Sequence, residues 1–357
     1  MGGIIIENDF FDFDLIKTGK CENADPGFTS AFDFCKAWLL GEDHFLLQTS
    51  GSTRLPKNIP VTRKQMMCSA EATRAFFQLD EGCTLLCCLD TERIAGKMML
   101  VRAMEWKARL VLVPPSANPL LGMEKWNFDF VAMVPLQVQA CLTNEFSREI
   151  LDWIGVLVIG GAPSSEVLIK QVRMLKGSVY QTYGMTETVS HIALGNLKEP
   201  GPLVYEVLPG VTIGLGSEGT LRIKAPMTSD SWITTRDVVE MFGKNKFAWK
   251  GRADFVINSG GIKLHPEEIE KEIRPIVEQF FPQRAFFISG KPDEQLGQAL
   301  LLVLEGERDT TKKNRLLDLA KNQLPKYHVP KSIVFLPKFE MTRTGKINQI
   351  ETLKKCL

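Results

Sequence analysis

The chain has no long apolar run. Stretches such as "GVLVIGGA" stop well short of the roughly 20 residues that a membrane-spanning helix needs, so no membrane insertion is expected. The opening "MGGIIIENDFFDFD" carries no basic stretch and soon turns acidic, unlike a secretory signal. Charge of neither sign prevails: 43 Lys and Arg face 42 Asp and Glu, for a formal net charge of +1. That balance gives no electrostatic reason to expect nucleic acid or an anionic membrane as a partner. Only four histidines occur, and the eight cysteines are scattered without a CxxC pair, several in strand-like text such as "TLLCCLD". Zinc and a disulfide framework are both disfavoured; reduced, buried thiols in a cytoplasm fit better. There is no internal repeat and no low-complexity tract.

What remains is an ordinary globular composition, 44% hydrophobic and 24% charged over 357 residues, enough for two or three domains. Apolar runs alternate with helical patterns in the first half. Residues 45–48, 84–89, 109–113, 155–159 and 179–182 read as strands, and residues 64–79 and 164–175 as helices. Strands alternating with helices predict a largely parallel α/β sheet. From 209 to 247 the text becomes glycine-punctuated and predicts short antiparallel strands. After "GRADFVINSGG" a block of about 100 residues, with a helix opening at Pro266, reads as a self-contained α+β unit. The expected architecture is a large α/β domain with a β-rich subdomain over 1–253 and a small, mobile α+β domain over 254–357.

Several short motifs carry possible chemistry. In "QTSGSTRLPKNIPVT", Thr49, Ser50, Ser52 and Thr53 offer hydroxyls, Gly51 lets backbone N–H groups approach an anion, and Lys57 adds charge. The run is either a phosphate cradle or a polar surface loop; it is not a Walker A loop, since Pro56 stands where that motif needs glycine. "VIGGAPSS" places Gly160, Gly161, Ala162 and Pro163 at a strand-to-helix junction, where glycine also serves an ordinary tight turn. "QTYGMTET" offers Tyr183 for stacking on a flat ring, Thr186 for a phosphate and Glu187 as a hard oxygen ligand for magnesium; alone it also reads as a polar loop with an incidental acid. Asp237 in "TTRDVVE" can accept two hydrogen bonds from a diol. Arg252 follows in "GRADF", and "TRTGKINQ" sets Lys346 on a turn where most lysines do nothing.

Taken in order, the Thr/Ser/Gly…Lys loop, GGAP, YGMTET, RD, GRxDF…GGIKLxPEEIE and TGKI resemble the motif series of the adenylate-forming superfamily. That superfamily holds acyl- and aryl-CoA synthetases, peptide-synthetase adenylation domains and luciferases. The resemblance runs from about Gln48 to Ile347. It implies an ATP-dependent ligase that makes an acyl-adenylate, with ATP, Mg2+ and CoA as cofactor and co-substrates. It further implies that Thr49, Ser50, Gly51, Ser52, Thr53 and Lys57 hold the outer phosphates. Gly160, Gly161, Ala162, Pro163, Tyr183, Gly184 and Met185 would line adenine and substrate. Thr186 would meet the α-phosphate, Glu187 would bind magnesium, and Asp237 and Arg252 would hold the ribose. Lys346 would bridge the α-phosphate and the carboxylate, and the small domain would turn about Asp254. The expected partners are a small-molecule carboxylic acid, ATP and CoA, with a homo-oligomer left open.

Three departures from the usual motifs stand out. Arg54 occupies a position where the family loop carries glycine, Arg93 stands in "TERIAG" where many acyl-CoA synthetases carry histidine, and only 48 residues precede Thr49. The length, "TRD" and "SGGIKLHPEEIE" resemble the shorter o-succinylbenzoate–CoA ligases of menaquinone synthesis. That implies an aromatic keto-acid with two carboxylates, the second needing a cation, for which Arg93 is the expected residue. The alternatives are another aryl- or acyl-CoA synthetase, an amino-acid adenylating enzyme, and a non-catalytic nucleotide-binding protein.

Overall fold

The computed structural model describes residues 2–21, 26–48, 58–341 and 347–355. The expected phosphate loop, with Arg54, and Lys346 lie outside the described residues.

A large sheet-rich N-terminal domain is followed by a small C-terminal α+β domain. Thirteen strands among the described residues form one sheet in the first. Six neighbouring strands in one half of it are mutually parallel: Gly3–Ile6, Arg109–Leu112, Thr84–Cys87, Phe130–Met133, Val156–Ile159 and Ser178–Gly184, in that spatial order. Their side chains alternate between two cores. Leu85, Leu110, Phe130 and Val158 face one side, and Leu86, Val111, Val131 and Leu157 the other. Burial on both faces is what turns these strands into unbroken apolar text. Helices Thr29–Leu39, Arg63–Phe77 and Ile94–Glu105 cover the first side; Pro135–Leu142, Glu145–Trp153 and Glu166–Val172 cover the second.

Local signals set the helix starts. Thr62 and Gln65 form a reciprocal capping box before Arg63–Phe77, and Ser165 accepts from the Leu168 N–H at the start of Glu166–Val172. That helix is therefore shorter than the predicted 164–175: its cap is the second serine, and residue 173 already leaves it.

Beyond strand Ser178–Gly184 the same sheet continues antiparallel through His191–Asn196, Tyr205–Val207, Lys246–Arg252, Ile233–Met241, Thr220–Lys224 and Thr212–Leu215. Strand Ser178–Gly184 is thus the seam between the parallel and antiparallel halves. The small domain has a five-stranded sheet that begins at Ile257–Ser259, with helices Pro266–Phe280 and Thr310–Gln323 packed on it. Pro266 occupies the first turn of its helix, followed by Glu267 and Glu268, as the sequence predicts.

Candidate active site

Parallel strands send all their carboxyl ends to one edge, and there the crossover loops collect. Residues 160–163 leave strand Val156–Ile159, and Met185, Thr186 and Glu187 leave strand Ser178–Gly184. Arg93 follows strand Thr84–Cys87 at the same edge, as the cap residue of helix Ile94–Glu105.

The glycines of these loops answer to close packing. Gly161 sits at φ +81°, and a Cβ on Gly160 would lie 2.6 Å from Thr182 Oγ1. A Cβ on Gly184 would lie 2.3 Å from the Ser190 carbonyl oxygen. The loop after Gly184 is pinned by buried Thr188, whose hydroxyl accepts from the Met185 N–H at 3.0 Å and lies 2.9 and 2.8 Å from the Met185 and Ser190 carbonyl oxygens. Val189 then adopts φ 66°, ψ −57°, and the Ser190 N–H donates to the Thr188 carbonyl at 2.7 Å. That is a γ-turn with positive φ, strained for a β-branched residue, and it lies directly behind Thr186 and Glu187. Glu187 is exposed.

Tyr183 projects from the seam toward the antiparallel half. Its ring packs against Phe247 and Tyr205 at centroid distances of 5.1 and 5.7 Å, and its hydroxyl donates to Asp237 Oδ2 at 2.6 Å. Burial, and then the Asp237 carboxylate, push the phenol far above its ordinary pKa, so it stays a donor. Asp237 also accepts from Trp249 Nε1 at 3.2 Å and faces the Arg252 guanidinium at 3.8 Å across a paired register position. Arg252 in turn donates to Asp254 at 2.8 Å, and its N–H donates to Glu267 of the small domain at 3.2 Å. Tyr183, Asp237 and Arg252 are therefore brought together. Arg93 is not drawn inward: its side chain is 55% exposed and pairs with Asp90 at 3.6 Å.

The sequence reading missed a second arginine. Arg102, on helix Ile94–Glu105, is 2% exposed. Its guanidinium lies 5.5 Å from the Phe130 ring centroid, Nη2 donates to Ser190 Oγ at 3.4 Å, and Nη1 meets Met99 Sδ at 3.6 Å. Nε is buried with no hydrogen-bond partner, and no carboxylate among the described residues pairs with this cation. Burial lowers its pKa to about 10. Buried His191 continues the network. Thr73 Oγ1 donates to the Ser69 carbonyl at 3.0 Å and so accepts from His191 Nε2 at 3.1 Å, leaving Nδ1 as the acceptor facing Ser190 Oγ at 3.5 Å. Burial and the nearby Arg102 charge hold His191 well below its ordinary pKa, hence neutral. The signal available in the sequence was a lone arginine inside the apolar text "GKMMLVRAME".

Residues 6–223 match the family model described as AMP-binding enzyme, and residues 283–346 match the AMP-binding enzyme C-terminal domain. The chain therefore belongs to the adenylate-forming superfamily of AMP-binding enzymes and is an AMP-forming ligase of acyl-CoA synthetase type. Among solved structures it is similar to the acyl-CoA synthetase (AMP-forming)/AMP-acid ligase II-like protein of Dyadobacter fermentans, at 41% identity, 97% and 99% coverage of the two chains and a TM-score of 0.67. The o-succinylbenzoate coenzyme A synthetase of Bacillus subtilis, solved with ATP and magnesium ion, shares the fold at 21% identity, 86% and 69% coverage and a TM-score of 0.72. Curated relatives include the 2-succinylbenzoate–CoA ligases of Listeria monocytogenes, 21% identical with 89% and 71% coverage, and Staphylococcus epidermidis, 25% identical with 85% and 68% coverage. Among the described residues no helix is long and apolar enough to cross a membrane.

Proposed function

We propose that the protein activates o-succinylbenzoate, or an aromatic acid of the same two-carboxylate kind, and passes the acyl group to CoA. The observation that carries the substrate is Arg102: a buried cation without a carboxylate partner among the described residues, bonded through Ser190 to the loop that holds Thr186 and Glu187, suits a carboxylate that is not activated. In this reading the other carboxylate oxygen attacks the α-phosphorus of ATP and the bond to pyrophosphate breaks. The CoA sulfur, its proton given up to water, then attacks the carbonyl and AMP leaves.

Asp237 would accept the ribose hydroxyls beside Arg252, with Tyr183 holding the carboxylate in place. Thr186 would contact the α-phosphate. A single exposed carboxylate, Glu187, fits Mg2+, an ion commonly held by one or two carboxylates together with substrate phosphates; it would neutralise charge as pyrophosphate departs. Thr49, Ser50, Gly51, Ser52, Thr53 and Lys57 would cradle the outer phosphates, and Lys346 would bridge acid and α-phosphate, both by motif. Residues 1–253 would form the adenylating domain and 254–357 a small domain that turns about Asp254.

The test is pyrophosphate release with MgATP and o-succinylbenzoate, with and without CoA, against benzoate, a fatty acid and amino acids. Release that requires o-succinylbenzoate, with its CoA thioester seen by mass, is the expected result. Release with another acid alone would overturn the substrate, and silence with all of them the catalytic reading.

A further inference from the structure

Buried Gln181 has every hydrogen-bonding position of its amide in use, and each bond goes to the loop carrying Gly160–Pro163 or the strand end before it. Gln181 is 3% exposed, lies two residues before Tyr183, and stands in register with Ile159 of the neighbouring strand. Its Oε1 accepts from the Ser164 N–H at 3.0 Å and from Ser164 Oγ at 2.7 Å. Its Nε2 donates to the Ile159 carbonyl at 3.0 Å and the Ala162 carbonyl at 3.1 Å. Two lone pairs and two N–H groups are all that a side-chain amide has, so nothing is left to bind a ligand.

We propose that Gln181 is the positioning residue of the site: it welds the loop 160–164 to the strand that ends in Tyr183, so that both walls of the nucleotide and acid pocket keep one spacing. The proposal rests on the functional reading above. Gly160 and Gly161 have no side chains with which to anchor the loop, so apart from the Gly160 N–H, which donates to the Met133 carbonyl at 3.0 Å, its hold on the sheet falls to Gln181. The chemistry of the clamp requires an amide. A carboxylate there would set a second pair of acceptor lone pairs against the Ile159 and Ala162 carbonyls. A leucine would take away the partners of both Ser164 donors and of the Ala162 carbonyl, all half-buried, and the side-chain bond to the buried Ile159 carbonyl. A protonated carboxylic acid would restore one donor, and a buried carboxyl holds its proton to higher pH than an exposed one.

Those differences give Gln181→Glu a signature that a general loss of stability would not produce. Three quantities are measured from pH 5.5 to 8.5: ATP–pyrophosphate exchange with o-succinylbenzoate, MgATP affinity by calorimetry, and circular dichroism, all on the full chain. At pH 8 the Glu variant should lose about 100-fold in kcat/KM and at least tenfold in MgATP affinity. Toward pH 6 it should regain about tenfold relative to the wild type at the same pH, with an unchanged dichroism spectrum. Gln181→Asn, which keeps the amide one methylene short, should fall between the two without the pH-dependent regain. A Glu variant whose profile parallels the wild type, or one within threefold of it at pH 8, overturns the proposal, as does an Asn variant with the same regain. If the wild type exchanges with none of the acids, the functional reading fails, while the MgATP affinities still decide the role of Gln181.

Discussion

Replacing Arg102 with methionine should stabilise the ligand-free protein while spoiling its use of a dicarboxylate. The guanidinium is 2% exposed, has one orphaned N–H and is held to a pKa of about 10 by burial. A depression of that size corresponds to roughly 3 kcal/mol of lost hydration, of which the Phe130 face and Ser190 offset a part. Methionine has a similar length and no charge, so a gain of about 1–3 kcal/mol is expected in urea unfolding followed by tryptophan fluorescence. The sign follows from the charge state. A cation with a lowered pKa costs stability wherever it is protonated, so the gain should be flat from pH 5 to 9 and shrink only as pH rises past 10. In the same variant a carboxylate loses its buried partner, and kcat/KM for o-succinylbenzoate should fall at least about 30-fold, the low end of what breaking such a pair costs. MgATP affinity should not change. A methionine variant that is less stable than the wild type, with kcat/KM for the acid within threefold, would show that Arg102 serves packing, and the substrate assignment would go with it.

Two further outcomes follow from the site and the small domain. Tyr183→Phe removes the 2.6 Å donor from Asp237 while Trp249 remains, so the KM for ATP should rise about tenfold, in line with the roughly 1.5–3 kcal/mol of a bond to a charged group, and the KM for the acid should move little in steady-state assays. Glu270 is half-buried in the small domain, with the Ile288 N–H donating to it at 2.8 Å, and its loss of hydration lifts its pKa to about 7. A raised carboxyl pKa favours the folded state only while the proton is bound, so stability is fully present below about pH 4.5 and is lost as pH rises through 7. Glu270→Gln should therefore abolish roughly 2–3 kcal/mol of decline between those limits, giving a melting temperature above the wild type at pH 8 and equal to it near pH 4.5; equal slopes in calorimetry would refute this.

The reach of the sequence varied with how local each structural cause was. Buried parallel strands, the Thr62 and Ser165 caps and the Pro266 helix start are set within a few residues, so text such as "TLLCC" or "HPEEIE" already showed them. The strand Gly3–Ile6 has a local hairpin partner in Asp9–Asp12, but its place beside Arg109–Leu112, more than 100 residues away, at the end of the parallel half was not legible in the sequence. The continuity of that half with the antiparallel strands was hidden for the same reason. The motif residues Tyr183, Asp237 and Arg252 stood out as types, yet their meeting depends on strand Lys246–Arg252 pairing Arg252 with Asp237, and on the Tyr183 hydroxyl reaching across from the seam.

Arg93 and Arg102 show the same limit at the proposed acid site. Both lie on one helical segment, and the sequence favoured Arg93 because it fills a recognised motif position. Placement in the fold reverses the physical ranking: Arg93 caps the helix in water beside Asp90, where a charge costs little and attracts little. Arg102 lies on the covered face of that helix, where hydration is gone and an anion would be held far more strongly. In the proposed reading, which arginine would hold a second carboxylate is decided by that loss of water, a property of helix orientation against the Phe130 strand. The motif spacing alone does not contain it.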